Sequence, residues 1–600
     1  MEKIKPFIFY IVLSFLYLFI FVLIYGAVNF DIHYTDWCLI KHSYTNSEDI
    51  SLNYLNFFAF LNDFAPLPYY ENMISPYRGS LLYIDYVPFL ALIVKIFYRY
   101  ILNINSVINI QYAWYFGAFA FVIQGILAYK IIKKITNTKN INAIISSIFF
   151  VIAPVLIMRF PYHFTLCAQF LILLSFYPFV FEFKKKQLFW FYFLLGFLGV
   201  CIFIYFLPFI FINLIAYILY KTVRKEDILF YFSLILALGA GALIPFYIFH
   251  GNALDLLSYG TGYSYFNANL NTFINPVNMY ELFQAKIFPF LNSLELYTKD
   301  QNEGFGYLGG GVLLLIVFSF VILFKKYKLN TILEFIKKYK QEFCVFVFVF
   351  IISFLIASSF KISLGGNLLF QIELPKTIEK LFAIFRTSGR LIWNDVYLIY
   401  FVILIFLIKN ISRNKITFIL LIGLCAQIYD LAPAFVKLNK EYNKKVEYNN
   451  FLDNNKVFRN LIKGKNYIVI FNFYPFDYFD FAQYAIKNKL KINNLQLSRD
   501  VEYQKFYDNL AEKYKNIDEN ILYVFSKDDL NYIKKTNLKY CYFLNNDFIA
   551  CTKNENKNFK NTDFKNVKNE TSSSEAYRYF LGYIINNEEI DEAHKLNYRY

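Results

Sequence analysis

The chain has 600 residues, of which 58% are hydrophobic and 17% are charged, and its mean hydropathy is +0.38. Soluble globular proteins are about 45–50% apolar and about 25% charged, so this composition excludes a soluble multidomain protein and predicts a polytopic membrane protein. The net charge of +16 does not indicate nucleic-acid binding, because most of the basic surplus lies beside apolar segments, where lipid headgroups account for it.

The first apolar segment covers residues 6–30 and follows Lys3 and Lys5. It is too long and too uninterrupted for a cleaved signal peptide, and no small-residue cleavage site follows it. We therefore predict a signal-anchor whose N-terminus is cytoplasmic. A polar outer loop, residues 31–111, follows the anchor.

One apolar run in this loop, residues 81–102, has two interpretations because it contains Asp85, Pro88, Lys95 and Arg99. If the run crosses the membrane, each later basic cluster falls outside the cell. If it lies in the interface as an amphipathic juxtamembrane helix, each cluster falls inside, as the positive-inside rule requires. We adopt the second interpretation.

The chain then has about eleven transmembrane helices in residues 1–433. The predicted spans are residues 6–30, 112–132, 141–158, 164–182, 188–203, 206–220, 228–250, 308–325, 343–360, 391–408 and 416–433. Of the 33 basic residues in residues 1–433, this arrangement puts 21 on the cytoplasmic side. We expect a multi-pass protein of a bacterial inner membrane whose C-terminal part is periplasmic.

Residues 434–600 are predicted to form a small soluble α/β domain with a polar end to which we assign no firm structure. The predicted elements are a strand at 465–472, helices at 478–489 and 502–515, a strand at 521–525 and a hairpin at 540–552. Cys541 and Cys551 would face each other across this hairpin. They either form a disulfide in an oxidising periplasm or remain unpaired.

Carboxylates in the first outer loop are the first candidates for chemistry, because a carboxylate can act as a general base or bind a divalent metal. The candidates are Asp36, Asp49 and Asp85. Asp49 stands where a helix would begin, so N-terminal capping is its alternative role. Asp85 interrupts an apolar run, which indicates a site, although it could also end a turn before Pro88.

Basic residues on the predicted outer side are candidates for binding a phosphate. Arg159 and His163 lie in a short turn between two spans, and Arg386 and Arg390 precede another span. Two arginines four residues apart suit a phosphate or diphosphate. The alternative is that Arg390 pairs with a nearby acid such as Asp395. No phosphate-loop, dinucleotide-binding, zinc-protease or serine-hydrolase motif is present.

Seven stretches, taken in order, resemble an uncharacterised family of bacterial polytopic proteins grouped with the GT-C glycosyltransferases. They are TDW at 35–37, SEDISLNYLNFF at 47–58, GSLLYIDYVPFLALIVKIF at 79–97, RFPYHFTLCAQFLILLSFY at 159–177, EGFGYLGGGVLLL at 303–315, FRTSGRLIWNDVYL at 385–398 and FDFAQYAIKNKLKINN at 479–494. Asn53 and Gln169 stand where that family has histidines.

The resemblance implies a GT-C-like fold and transfer of a sugar, with inversion, from a polyprenyl-phosphate donor to a cell-envelope acceptor. Asp49 fits the essential acid of the first outer loop, and Asp85 fits a second polar position. A divalent metal, Mg or Mn, would bind there if one is used. The implied partners are the lipid bilayer, the donor, and a glycan, lipid or protein acceptor.

Two other functions stay open at this point. The chain could be a transporter or flippase of lipid-linked glycans, although we see no inverted repeat with broken helices at matching positions. It could also be a non-catalytic membrane scaffold whose C-terminal domain binds a partner.

Overall fold

A computed structural model describes most of the chain. The described residues are 4–40, 49–71, 79–224, 226–250, 263, 265–278, 280–327, 334, 337–383, 387–470, 479–493, 517–526 and 538–556. They form two compact units. The first contains the described residues of 4–57, 84–250 and 263–448, and the second contains those of 58–83 and 449–556.

The described residues are mainly helical. The helices are α1 (Ile4–Tyr25), α2 (Asp49–Asn62), α3 (Pro88–Lys95), α4 (Ala113–Thr136), α5 (Asn140–Val151), α6 (Pro154–Ile157), α7 (Phe170–Ser175), α8 (Tyr177–Val180), α9 (Lys185–Ile202), α10 (Phe206–Val223), α11 (Ile228–His250), α12 (Gly310–Lys326), α13 (Lys340–Ala357), α14 (Lys376–Ala383), α15 (Ile392–Asn410), α16 (Ile416–Tyr442), α17 (Phe451–Asn454), α18 (Lys456–Leu461) and α19 (Phe479–Lys487).

Seven helices in the described part of the chain are long and apolar enough to cross a membrane. They are Phe7–Tyr25, Ala113–Thr136, Lys185–Ile202, Phe206–Val223, Ile228–His250, Ser388–Asn410 and Ile416–Tyr442. The gap between α9 and α10 confirms the predicted division near Tyr205. The other four predicted spans correspond to shorter or interrupted helices, so the total of eleven stays a prediction.

Prolines account for two of these interruptions. The predicted span 141–158 is divided into α5 and α6, and Pro154 is the first residue of α6. The predicted span 164–182 contains a short 3-10 helix, α7 and α8, and Pro178 lies in the first turn of α8. Proline lacks an amide hydrogen and disfavours helix in the residue before it, so a helix that reaches a proline tends to end there.

The run 81–102 contains α3, which continues as one turn of π-helix over Ile96–Ile101. Fourteen helical residues are about 21 Å long, whereas the hydrocarbon core is about 30 Å thick. This length agrees with the interface interpretation. The Arg99 guanidinium donates hydrogen bonds to the carbonyls of Ile104 and Ser106, which satisfies part of its hydrogen-bonding capacity within the segment.

Glycines allow α9 and α11 to approach closely. A Cβ atom added at Gly241 would overlap the backbone of Phe193, and one added at Gly196 would overlap the backbone of Leu238. Such contacts between small residues are a common way to pack helices inside a membrane, where the hydrophobic effect supplies no attraction between them.

We expect Gly241→Ala to lower the free energy of unfolding by roughly 1–3 kcal/mol, because the added methyl overpacks a backbone contact. Gly239→Ala is the matched control, since a Cβ at Gly239 in the same helix meets no atom within 4 Å. Thermal unfolding of both purified variants in detergent tests the prediction. Equal melting temperatures would contradict it.

The second unit contains a five-stranded sheet in the order β6-β5-β7-β9-β8. Its strands are β5 (Tyr467–Ile470), β6 (Lys491–Ile492), β7 (Ile521–Ser526), β8 (Tyr540–Phe543) and β9 (Phe548–Thr552). β5 runs parallel to β6 and β7, and β9 is antiparallel to β7 and β8. The predicted strands at 465–472 and 521–525, the helix at 478–489 and the hairpin are confirmed. The predicted helix at 502–515 lies outside the described residues.

Cys541 and Cys551 pair directly across β8 and β9, and the structure joins their sulfur atoms in a disulfide. Both side chains are buried among the sheet residues that form the core of this unit. The described residues contain two further antiparallel strand pairs, β1–β2 (Tyr69–Tyr70 and Gly79–Ser80) in the second unit and the β3–β4 hairpin (Lys361–Leu364 and Asn367–Gln371) in the first.

Candidate active site

Three of the sequence-predicted residues meet within the first unit. The His163 imidazole lies between two carboxylates, with its Nε2 3.3 Å from Asp49 Oδ2 and its Nδ1 3.4 Å from Asp85 Oδ2. The hydroxyl of Thr165 donates a hydrogen bond to the other oxygen of Asp85. We call Asp49, His163 and Asp85 the carboxylate–histidine triad.

Local structure fixes each member of the triad. Asp49 is the first residue of α2, where the positive end of the helix dipole favours a carboxylate. His163 closes a tight turn through its amide, which bonds to the Arg159 carbonyl at 2.8 Å. Thr165 belongs to the 3-10 helix Phe164–Cys167 that follows directly. The turn therefore brings the histidine and the threonine to Asp85 together.

Asp85 is held by a strained segment. Val87, two residues later, has a φ of 45°, which is unfavourable for a β-branched residue and costs about 1–3 kcal/mol. The surrounding packing compensates, because the hydroxyl of Tyr112 donates to the Tyr86 carbonyl and the Tyr86 ring stacks on Phe57 with centroids 4.5 Å apart. The strained turn and α3, which starts at Pro88, together set the direction of the Asp85 carboxylate.

The triad stabilises a charged histidine. Burial by itself would lower the pKa of His163, but the charges of Asp49 and Asp85 and their hydrogen bonds to the ring outweigh burial and raise the pKa to about 9. Burial likewise would raise the pKa of Asp49, but His163 outweighs it and holds that pKa below its usual value. The two neighbouring carboxyl groups therefore favour the imidazolium form of His163 at neutral pH.

Two more of the predicted residues, Arg159 and Arg390, share one acid. Arg159 Nη2 lies 2.7 Å from Glu303 Oε2, and Arg390 Nε lies 3.1 Å from the same oxygen. Burial would raise the pKa of Glu303, but the two arginines outweigh it and hold the pKa well below its usual range. Arg390 therefore has an acidic partner, as the alternative interpretation supposed, but that partner is Glu303 rather than Asp395.

Glycines permit this arginine–glutamate cluster, which comprises Arg159, Glu303 and Arg390. Glu303 lies in the 3-10 turn Lys299–Gly304, and Arg390 lies in the 3-10 turn Ser388–Leu391. A Cβ at Gly389 would stand 2.7 Å from the Cα of Gly304, so any larger residue would push the two turns apart. Each glycine is adjacent in sequence to one member of the ion pair.

Aromatic rings enclose the two guanidinium groups. Arg159 lies 5.2 Å from the centre of the Trp393 ring, and Arg390 lies 5.2 Å from that of Tyr205. Cation–π contact adds attraction when the charge is desolvated. The guanidinium of Arg159 is fully buried, and its Nε and Nη1 atoms have no hydrogen-bond partner among the described residues.

The triad and the arginine–glutamate cluster form one charge-balanced group of three cationic and three anionic side chains. The pKa of Asp49 responds to Glu303 and Arg390, and that of Glu303 responds to His163. Asp49 is the most accessible member, with 42% of its side chain exposed, against 14% or less for the other five. Asp49 is therefore the member of this group that is most open to a ligand.

Asp36, another predicted site residue, contacts a different part of the first unit. Asp36 accepts a hydrogen bond from the Tyr448 amide at 3.3 Å, which ties the 3-10 turn Asp36–Cys38 to the segment after α16. Among the described residues Asp36 makes no hydrogen bond or ion pair with the triad, and its catalytic role stays a prediction. Arg386 lies outside the described residues. Gln169, at one of the positions where the resembling family has histidine, bonds to the Val155 carbonyl and to Tyr397.

The arrangement does not fit a divalent metal bound by Asp49 and Asp85. Asp49 and Asp85 direct their oxygens at the two nitrogens of His163, so a positive charge already lies between them. Both ring nitrogens are used by these contacts, and a protonated histidine is not a metal ligand. Within the described ranges, no group of three or more His, Cys, Asp or Glu side chains is arranged to hold a metal ion.

The triad gives stability a specific pH dependence. Because the pKa of His163 is about 9 in the folded protein and about 6.5 when unfolded, its stabilisation is complete below pH 6.5 and is lost as pH rises through 9. We expect wild type to be more stable than His163→Gln at pH 6 and this difference to shrink at pH 9.5. Melting temperatures of both proteins across this range test it, and a constant difference would contradict it.

The fold and this group of side chains define a polytopic helical membrane protein with a buried cluster of ionic residues. Residues 14–432 match the family described as "Domain of unknown function (DUF6311)", and the chain belongs to that family. A comparison with curated proteins finds no match.

Among solved structures, the oligosaccharyltransferase of Archaeoglobus fulgidus in its apo form is similar, with 11% identity and a TM-score of 0.41. The similarity covers 87% of this chain and 70% of that one. A likeness this distant assigns neither fold nor function.

Proposed function

We propose that this protein is a membrane glycosyltransferase of the GT-C type that transfers a sugar from a polyprenyl-phosphate donor to a cell-envelope acceptor. The observation that carries the proposal is the accessible carboxylate of Asp49, which contacts His163 and is electrostatically coupled to Arg390. A base and an anion-binding group at one site are what transfer from a phosphate-linked sugar requires.

In the proposed reaction the acceptor hydroxyl approaches Asp49, and its proton passes to the carboxylate. The acceptor oxygen bonds to the anomeric carbon of the sugar while the bond from that carbon to the phosphate oxygen breaks. The configuration inverts, and the electron pair leaves on the polyprenyl phosphate. His163 acts as a positioning residue, because it orients Asp49 and is itself oriented by Asp85.

In the proposal Arg390 and Arg159 are the residues that bind the phosphate of the donor. Their guanidinium groups already converge on one carboxylate oxygen of Glu303, so their geometry suits an anion. In the proposal the departing phosphate competes with Glu303 for Arg390, the more exposed of the two. Arg386, which lies outside the described residues, stays a predicted member of this group. The outer face of the membrane is the proposed location, and nucleotide sugars are not expected there, so the donor arrives within the lipid.

A non-catalytic scaffold is the second candidate, and one observation favours it. Each cationic side chain of the ionic group already has an acidic partner, which is also what a structural network would show. A transporter of lipid-linked glycans is the third candidate.

The proposal is tested by comparing the glycans of a deletion strain with those of its parent by mass spectrometry. Polysaccharide, lipid and protein fractions are analysed separately, and the deletion strain is complemented with wild type or with Asp49→Asn. We expect one glycan to lack a sugar unless wild type is supplied. Identical glycans in all fractions, or full restoration by Asp49→Asn, would overturn the proposal.

A further inference from the structure

The β3–β4 hairpin of the first unit exposes apolar side chains. All five residues of β4 are exposed, and they continue into Ile372. The exposed apolar residues of the hairpin and its exit are Leu364 (49%), Leu368 (38%), Leu369 (53%), Phe370 (53%) and Ile372 (45%). No charged residue occurs between Lys361 and Glu373. An uncharged, exposed and apolar strand is a liability in water, so we expect another surface to cover it.

The strand register places apolar groups on both faces of the hairpin. Ile362 pairs with Phe370 and Ser363 pairs with Leu368, with a bulge between them at Leu369. Cross-strand partners share a face, and Ile362 and Ser363 are consecutive. Phe370 and Leu368 therefore lie on opposite faces, and whatever covers the hairpin must cover both.

This geometry argues against a partner that adds a strand to the free edge of β4. An added strand would satisfy the edge amides but leave Phe370 and Leu368 uncovered on the two faces. The bulge at Leu369 also interrupts the regular edge that such pairing needs, as bulges do in sheets protected against edge pairing.

The hairpin stands at the end of an apolar helix. α13 has 18 residues and is therefore about 27 Å long. Its apolar part is Phe343–Ala357, which is shorter than the seven candidate spans. Its own surface exposes Phe343 and Ile351. β3 begins four residues after α13 ends, so the hairpin starts where this helix would leave the membrane.

The hairpin is held firmly at its turn and along β3. The Asn269 side chain bonds to both the amide and the carbonyl of Gly365, at 3.1 and 3.0 Å. Gln301 donates to the Ser363 hydroxyl at 2.8 Å and accepts from Asn269 at 3.0 Å. Gln301 is two residues before Glu303, so the same loop holds the hairpin and the arginine–glutamate cluster.

We propose that the β3–β4 hairpin inserts its apolar side chains into the interfacial layer of the lipid bilayer. The lipid covers both faces, while headgroups and water satisfy the free edge of β4, which could not lie deeper because its amides would then be unsatisfied. Lys361, Glu373 and Lys376 stay at the level of the headgroups. This inference does not rest on the proposed function.

Spin labelling of the full chain in lipid nanodiscs tests the inference. The labelled variants are Leu368→Cys and Phe370→Cys, one for each face, in a background where the exposed Cys344 and Cys425 are replaced by serine. Leu236→Cys, 73% exposed on the candidate span α11, is the lipid reference. Lys553→Cys, exposed in the second unit, is the aqueous reference.

We expect both hairpin labels to collide more with oxygen than with a water-soluble nickel chelate, as the Leu236 label does and unlike the Lys553 label. Strong nickel access at either face would overturn the inference, because that face would be in water. Exclusion of both reagents would also overturn it, because protein would then cover the hairpin. Since both positions are exposed, neither substitution disturbs the packed core.

Discussion

Replacing Asp49 by asparagine is expected to lower the rate of sugar transfer by roughly 10²–10⁴-fold, the usual contribution of a general base. The amide keeps the size of the side chain and can still accept a hydrogen bond from His163, but it cannot take the acceptor proton. The measurement is the initial rate of transfer by purified protein in vesicles that contain a polyprenyl-phosphate sugar.

Asp300→Asn is the matched control for this variant. Asp300 is an exposed carboxylate three residues before Glu303, and we expect its loss to leave the rate unchanged. Melting temperatures show whether both variants are folded. A folded Asp49→Asn protein with the wild-type rate would remove Asp49 from the reaction.

Replacing Glu303 by alanine is expected to lower the free energy of unfolding by roughly 3–5 kcal/mol, because it leaves two buried guanidinium groups without their shared acid. Thermal unfolding in detergent measures the loss. If the arginines also bind the phosphate of the donor, added polyprenyl phosphate stabilises the folded protein and raises its melting temperature. The rise is larger for Glu303→Ala than for wild type, because Glu303 no longer competes with the phosphate for the arginines.

Glu295→Ala is the control for Glu303→Ala, since Glu295 is exposed in the same connection between α11 and α12. Equal melting temperatures for the two variants would contradict the structural role of Glu303. A large loss without any response to polyprenyl phosphate would keep that role and contradict phosphate binding by the arginines.

The features of this fold that depend only on local sequence could be predicted. The long apolar helices follow from hydropathy, and the division between α9 and α10 follows from length, because a single span cannot contain both. The strands and hairpin of the second unit follow from short apolar runs and turn residues. Prolines such as Pro154 are visible in the sequence. The helix breaks that they cause were missed because hydropathy averaged over the length of a span changes little with one proline.

The ionic group shows where such reasoning stops. Asp49, His163 and Asp85 could be singled out because each is a polar residue beside apolar segments. Their arrangement around one imidazole could not, because it depends on how two distant parts of the first outer loop fold against the turn that contains His163. The last predicted span also differs, since α16 continues through Pro433 to Tyr442, beyond the predicted end at residue 433.

Glu303 is the residue that the sequence analysis missed. It lies in a long polar connection whose path no periodicity describes, and 144 residues separate it from Arg159. A signal was nevertheless present. Two arginines beside apolar spans need a counter-charge, and a glutamate followed by glycine directly before a span was available to supply it.

The most direct test of the account is the incubation of purified full-length protein with a radiolabelled polyprenyl-phosphate sugar in sealed vesicles that carry envelope acceptors. We predict that wild type moves the label from the lipid to an acceptor with inverted configuration and that Asp49→Asn does not. Movement of the labelled lipid across the bilayer without transfer, or no movement and no transfer, would contradict the account.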